Sequence, residues 1–389
     1  MSTIRSLASV GWDSHRVFSS VSLRNGPGKV FERRRIEHDD RPALRKVLAS
    51  WPVGTPVVLE GTFGWGWISD ELAAAGHRPH LASSRKLAAW REARGLAKSN
   101  RLDADLLSEL MSEKSRWWEV WLPPVEVREQ RELLRYRMSL VHTQTAFKNR
   151  MHAILHRHGV LHDFADLFGT AGRRFLQQLA GGKSANGVVL SPNARIALKG
   201  ELQVLDHLRR QIAGATRLFR AGVKRSPIAR RLKSLPGVSW ILAYTLLAEI
   251  GRIERFKDHR HLASYSLLAP RASDSGDDDG SNPKGRRVGH AGRSTLQWAF
   301  IEAAHGAVRK DARMREVFNR CTDGGQHDRN RGYIAVGRHL AICAYVVWKK
   351  NVDYSPLPPP RPGSKQRRRK SLTNRPGTGQ PEHPMVAVR

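Results

Sequence analysis

The sequence predicts an α/β domain followed by an all-α remainder. Up to about residue 124, short apolar runs rich in β-branched residues alternate with helical patterns. A proline pair, Pro123 and Pro124, then marks a break, because proline removes a backbone donor and constrains the residue before it. Beyond the break, apolar residues recur at helical spacing.

Composition bounds what such a chain can be. Its 389 residues suffice for two or three domains, and a 40% hydrophobic content supports a sizeable core. Lys and Arg number 67 against 35 Asp and Glu, a formal charge of +32 spread along the whole length. Such a charge repels itself unless a polyanion neutralises it, so nucleic acid is the leading partner and anionic membrane the weaker one. No apolar run approaches the roughly 20 residues of a spanning helix, and the N-terminus has no signal-peptide pattern. Cys321 and Cys343 are the two cysteines, too few for a disulfide framework or a zinc pattern, as in an intracellular protein.

Taken in order, SLASVGWD, RVFSSVS and KVFERRRI read as three strands separated by polar or Gly-Pro breaks. RPALRKVLAS, near 41–50, is a helix for which Asp39 or Asp40 can serve as cap. TPVVLEG is a compact strand ending in Glu60, GWGWISDELAAAGH a second helix, RPHLA a fifth strand and SRKLAAWREARG a third helix. The order βββαβαβα is that of the ribonuclease-H-like fold. A further helix lies in the second half of residues 94–110, with Leu102, Leu106, Leu107 and Leu110 on one side. Asn100 and Asp103, three apart, share the opposite face of its first turn.

On this scaffold Asp13 closes the first strand and Glu60 the fourth, and the 100–103 turn supplies a third side. Carboxylates converging from separate elements stay ionised only with a cation between them. Mg²⁺ suits such a site, since it takes oxygen ligands and keeps waters and substrate phosphates in its shell, and two ions would polarise attacking and leaving oxygens. Asp13 alone reads equally as a strand-end turn residue. Glu60 is sharper, because a Glu after Val-Val-Leu is a poor core choice. Asp105, two residues past Asp103, points to another helix face.

Residues 125–225 read as a helical linker. A helix over about 125–158 repeats Leu133, Leu140, Phe147 and Ile154 every seven residues, a coiled-coil-like stripe flanked by arginines. A second over about 193–222 carries Leu198, Leu202, Leu205, Leu208 and Ile212, and the two are expected to form an antiparallel hairpin with 159–192 at its far end. His152 and His156 are one helical turn apart, but no acid or Cys set accompanies them, so they read as surface residues meeting nucleic acid.

The last domain spans 226–353. SLPGVSWILAYTLLAEIG can be a helix-hairpin-helix, with Gly237, Val238 and Ser239 facing phosphate at a helix start; a plain helix–turn–helix core piece reads almost as well. Residues 272–283 are too small and polar for a core and form an exposed loop. The loop runs into Lys284, Arg286, Arg287, His290 and Arg293, a phosphate clamp, and His290 makes that clamp pH-sensitive. A helix over about 334–350 follows. Residues 354–389 are Pro-rich and basic, a disordered tail with salt-sensitive affinity for nucleic acid.

WDSHR, VVLEGTFGW, KSNRLDADLL and the Ser275-Gly276 pair, in this order, resemble the DEDD transposases of a bacterial insertion-sequence family that includes bridge-RNA-guided recombinases. The resemblance covers roughly residues 4–310. It implies a RuvC-like domain over 1–124 and a serine-bearing transposase domain last, with the helix-hairpin-helix within it. Asp13, Glu60 and Asp103 match three of the four family metal ligands, and Asn100 stands where the fourth is an acid. An amide oxygen brings no charge, so one ion should be held more weakly. Ser275 matches the serine that attacks DNA; Ser273 and Ser281 are its rivals by position. Leu267 and His290 also depart from the family's usual Gly and Lys.

The resemblance further implies target and donor DNA, a structured guide RNA, a homodimer or homotetramer, and a bacterial, nucleoid-associated cytoplasmic location. Two alternatives stay open. One is a RuvC-like nuclease using metal-activated water, the other a nucleic-acid-binding relic inactivated at Asn100.

Overall fold

The computed structural model describes residues 7–26, 29–96, 100–113, 115–269, 292–324 and 328–355, with backbone alone at Asn100 and Arg101. The chain divides into two compact units, residues 1–124 and 125–389.

The first unit is a mixed α/β layer. Strands β1 (Ser9–Ser14), β2 (Phe18–Arg24) and β3 (Val30–Glu37) lead to helix α1 (Arg41–Ala49), strand β4 (Pro56–Glu60), helix α2 (Trp65–Ala74), strand β5 (Arg78–Ala82), helix α3 (Ser84–Ala93), helix α4 (Asn100–Glu109) and a short strand β6 (Glu119–Val120). These are the expected elements in the expected order, with β6 added from the Trp-rich stretch before the prolines. Asp40, not Asp39, caps α1, its side chain accepting from Ala43 N at 2.8 Å. The six strands lie in the order β3-β2-β1-β4-β5-β6. β1 runs antiparallel to β2 and parallel to β4, and β4 runs parallel to β5.

Alternation along each strand assigns the two faces. Val10, Trp12, Val57 and Leu59 enter one core together with Leu44 and Leu48 of α1 and Ile68 and Leu72 of α2. The intervening residues face the other way, where Val58 and Ala82 pack with Leu87 of α3, Leu107 of α4, Leu110 and Trp118. Asp13 and Glu60 have the parity of this second face.

The second unit is helical: α5 (Val125–Arg157), α6 (Thr170–Ala180), α7 (Pro192–Arg225), α8 (Pro227–Leu232), α9 (Trp240–Ile250), α10 (His259–Tyr265), α11 (Ser294–Lys310), α12 (Ala312–Thr322) and α13 (Arg329–Lys350). Ser191 caps α7 and Ser226 caps α8, each followed by a proline at the first helical position. Tyr136 bonds Gln211, Arg137 bonds Thr216 and Arg150 pairs with Glu201, so α5 and α7 run antiparallel. Their packing is uneven. The buried residues of α5 are Val127, Arg131 and Leu134 at one end and Met151, Ile154 and Leu155 at the other; Leu133, Leu140 and Phe147 of the heptad stripe are half-buried. The far end has its own core, including Leu176 and Leu179 of α6, a helix the sequence reading did not separate from the 159–192 connection. Helices α5, α7, α8 and α11 pack around α9, which is buried on almost every side.

Candidate functional site

Register and packing bring the first-unit acids together. Val10, Gly11 and Trp12 lie opposite Val57, Val58 and Leu59, so one step further Asp13 stands beside Glu60 at the C-terminal ends of two parallel strands, where open α/β sheets place their sites. Helix α4 is pressed onto β1 because residue 11 is glycine: a Cβ there would lie 2.0 Å from the Ala104 carbonyl oxygen. Ser9 Oγ adds a buried hydrogen bond to the Ser108 carbonyl at 2.7 Å. Asp103 is thereby carried to the same place. Asp13, Glu60 and Asp103 line one cavity of about 770 Å³ with Ser14, His15, Arg16, Thr62, Phe63, Ser84, Ala88 and Arg91.

Asp13 and Asp103 are 6% and 7% exposed, and each carboxylate has a cationic or cationisable neighbour. His15 Nε2 is 3.1 Å from Asp13 Oδ2, and Arg91 Nε is 2.9 Å from Asp103 Oδ1. The Arg91 contact is an ion pair without hydrogen-bond alignment: Arg91 Nε and Asp103 Oδ1 are both buried with no hydrogen-bond partner. Among the described residues no three His, Cys, Asp or Glu side chains are grouped closely enough to hold a metal ion. A buried, unbonded carboxylate oxygen facing a roomy cavity that two further acids line nevertheless suits a hard divalent cation, which takes oxygen donors and retains water.

Asp105 is directed elsewhere. Arg33 grips it with two bonds of 2.9 and 2.8 Å, and Ser22 Oγ donates to it at 2.5 Å. Arg24 Nε, 3.1 Å from Ser108 Oγ, completes this attachment of α4 to β2 and β3. His15 was not singled out from the sequence, although it stands two residues from Asp13. Arg91 was given no role beside the acids there.

In the second unit the turn before α9 is more enclosed than a phosphate-facing hairpin implies. Gly237 has φ +77° and a Cβ on it would lie 2.0 Å from the Ala303 carbonyl, so α11 covers it. Val238 is buried, and its N–H donates to the Leu235 carbonyl at 3.1 Å. Ser239 is exposed, and its hydroxyl accepts from Leu242 N at 3.3 Å as the α9 cap. Of this trio, Ser239 alone offers a side chain to solvent. Arg293 is described, just before α11. Ser275, Lys284, Arg286, Arg287 and His290, with Ser273 and Ser281, lie outside the described residues, as does the tail from 356. His152 sits edge-on to Phe168 with ring centres 5.2 Å apart. No helix among the described residues is long and apolar enough to cross a membrane.

Residues 10–159 match the DEDD transposase model of IS110 elements, described as "Transposase". Residues 229–319 match the model described as "Transposase IS116/IS110/IS902 family". The chain is 26% identical over 249 residues to the "Transposase for insertion sequence element IS1111A" of Coxiella burnetii, covering 64% of this chain and 65% of that protein. It is 25% identical over 215 residues to the "Putative transposase y4qE" of Sinorhizobium fredii, covering 53% of this chain and 47% of that protein. The matched region thus spans less than two thirds of either relative's length. The chain therefore carries a DEDD transposase domain of the IS110 type ahead of a C-terminal transposase domain of the IS116/IS110/IS902 type.

Proposed function

We propose that this protein is a Mg²⁺-dependent DNA transposase and recombinase that uses Ser275 as nucleophile and a structured RNA as guide. The observation that carries the reading is the meeting of Asp13, Glu60 and Asp103, from two strands and a helix, in one cavity. The sheet order, three antiparallel strands continued by two parallel ones, supports a ribonuclease-H/RuvC-like domain over 1–124. Residues 125–225 act as a coiled-coil-like spacer, 226–353 as the serine-bearing domain and 354–389 as a basic tail. Asp13, Glu60 and Asp103, with the Asn100 amide as a neutral fourth donor, would hold the divalent ion. When bound, the ion supplies positive charge to polarise phosphate oxygens.

The chain's own groups do the rest. Ser275 Oγ attacks the DNA phosphorus as the bond to the leaving oxygen breaks, and the hydroxyl proton passes to solvent while the leaving oxygen takes one up. The phosphoserine ester keeps the bond energy for rejoining. Lys284, Arg286, Arg287, His290 and Arg293 hold phosphates, and Ser239 with the start of α9 adds a contact without base readout. The reading includes a homodimer or homotetramer, in the cytoplasm at the nucleoid.

A covalent-adduct assay tests the reading. Full-length protein, Mg²⁺, RNA transcribed from the element's flanks and labelled DNA are combined and denatured, and the nucleotide-bearing peptide is located by mass spectrometry. An adduct on Ser275, lost in Ser275→Ala, is expected. DNA cleavage that survives Ser275→Ala without any adduct would overturn serine chemistry in favour of hydrolysis by water.

A further inference from the structure

Two short loops meet at the strand ends that carry Asp13 and Glu60. The first, residues 15–17, closes the β1–β2 hairpin. His15 N donates to the Phe18 carbonyl and His38 N to the Val17 carbonyl, both at 2.9 Å. The second, residues 61–64, joins β4 to α2. Gly61 N donates to the Ala82 carbonyl at 2.9 Å and Thr62 N to the Glu60 carbonyl at 2.8 Å. Ser14 Oγ donates to the Phe63 carbonyl at 3.0 Å and ties one loop to the other. Both tips are thus braced through their backbones.

Each loop presents one uncovered side chain to the cavity of the acids, Arg16 from the first and Phe63 from the second. Phe63 is 81% exposed, and among the described residues no ring or cation stacks on it. Its aromatic neighbours differ: Arg35 lies 3.7 Å from the centre of the Phe18 ring, and Arg41 lies 3.4 Å from that of Trp67. Arg16 is also exposed, and its guanidinium has no ion pair or hydrogen bond among the described residues. The cavity's other basic side chains are engaged, His15 with Asp13 and Arg91 with Asp103.

Single apolar residues on a surface need no explanation, but a benzene ring lining an acid cavity gains nothing from carboxylates or their water. A nucleobase offers it a partner, because every base has a flat π-face, and such stacking tolerates any sequence. An unpaired guanidinium calls for an anion, and its planar donor edge fits a phosphate. Base and phosphate are two parts of one nucleotide. A base inside a duplex hides both faces, so the strand taken here has to be open.

We propose that Phe63 and Arg16 form a clamp for one unpaired DNA nucleotide, Phe63 stacking on its base and Arg16 pairing with its phosphate, so that the strand crosses the cavity of Asp13, Glu60 and Asp103. The inference deepens the reading of that cavity as the DNA-processing site and rests on it. Full-length protein without divalent metal is titrated with single-stranded oligothymidylate carrying 5-iodouracil, then irradiated, and crosslinked residues are located by mass spectrometry. A crosslink on Phe63 is expected. Phe63→Leu should lose it and weaken binding several-fold with the salt dependence unchanged, because stacking releases no counterion, and Phe63→Trp should restore both. Arg16→Gln should lower the slope of log affinity against log salt by about 0.7, the signature of one lost phosphate contact on a single strand.

Crosslinks confined to other residues, wild-type affinity in Phe63→Leu, or an unchanged slope in Arg16→Gln would each overturn the clamp. So would a Phe63 crosslink obtained only with an iodouridine-bearing RNA strand. Mn²⁺ binding, followed by electron paramagnetic resonance, separates this failure from that of the reading beneath it. Mn²⁺ held by the wild type and lost in Asp103→Asn, with no Phe63 crosslink, overturns the clamp alone. A Phe63 crosslink in a protein that holds no Mn²⁺ supports the clamp and overturns the metal reading.

Discussion

Gly11 of β1 and Ala104 of α4 are in backbone contact: a side-chain carbon on Gly11 would lie 2.0 Å from the Ala104 carbonyl oxygen and 2.3 Å from Ser108 N. No rotamer relieves such an overlap, because both partners are main chain. Gly11→Ala should therefore destabilise the first unit by about 2–4 kcal/mol, at or beyond the usual range for overpacking. It should also move Asp103 away from Asp13. Denaturant unfolding followed by the fluorescence of Trp12 and its neighbours measures the first effect. Wild-type stability in the variant would show that the helix does not sit this close.

Arg91 stands 2.9 Å from Asp103 Oδ1, and both side chains are largely buried, at 14% and 8% exposure. A divalent cation approaching Asp103 has to compete with that guanidinium. Arg91→Met should thus tighten Mn²⁺ or Mg²⁺ binding several-fold in a calorimetric titration without nucleic acid. Weaker binding would show that Arg91 supports the site by orienting Asp103.

Asn100 occupies the first turn of α4, three residues before Asp103. If its amide is a neutral ligand, Asn100→Asp adds a carboxylate, and ligand charge is a main determinant of affinity for hard cations. The expected change is about a tenfold tighter divalent affinity, with recombination equal to or above wild type. Unchanged metal affinity would place residue 100 away from the ion. Inactive wild type with an active Asn100→Asp would identify the chain as a relic.

Tyr244 stacks on Phe219 with ring centres 4.0 Å apart, and burial pushes its phenol up to about 12. The folded state favours the neutral phenol, so this group costs nothing below the unfolded pKa of about 10. Its contribution is then lost as pH rises from about 10 to 12, amounting to about 2–3 kcal/mol. Tyr244→Phe should flatten that part of the alkaline unfolding curve. An unchanged curve would mean that another group drives alkaline unfolding.

Arg131→Met tests the buried side chain that ties α5 to the end of α9. It removes two hydrogen bonds to α9 carbonyls and leaves Glu249 with one neighbouring guanidinium fewer. Losing one partner of a buried pair costs about 3–5 kcal/mol, so a large fall in the midpoint of thermal or denaturant unfolding is expected. The double variant Arg131→Met, Glu249→Gln should recover part of it. No recovery would assign the cost to the lost carbonyl bonds alone.

The legible parts of this protein are those whose causes are local. The short apolar runs of Ser9–Ser14 and Pro56–Glu60, a cap at Asp39 or Asp40 and the leucine spacing of α7 each reside within a few residues. The strand-end positions of Asp13 and Glu60 followed from the same runs, and the offset of Asp105 followed from helical geometry. What escaped has causes far apart in the chain. β6 is a two-residue strand that exists because Leu81 and Ala82 offer it an edge. The middle of α5 is half-buried despite its heptad stripe, because hydrophobic period shows which side of a helix can be buried and not how much partner covers it.

By itself the sequence determined the order of the elements, the basic character of the chain and the acids and glycines from which a site could be made, since propensity, capping and periodicity act over one or two turns. Only the tertiary structure decided which of these groups meet. It set Asp13 beside Glu60 through strand register, delivered Asp103 through the Gly11 contact, placed Arg91 against it, and joined Arg131 to Glu249 across 118 residues. Such meetings depend on strand order and helix packing, which result from burying the whole apolar surface at once and are written in no single stretch of chain.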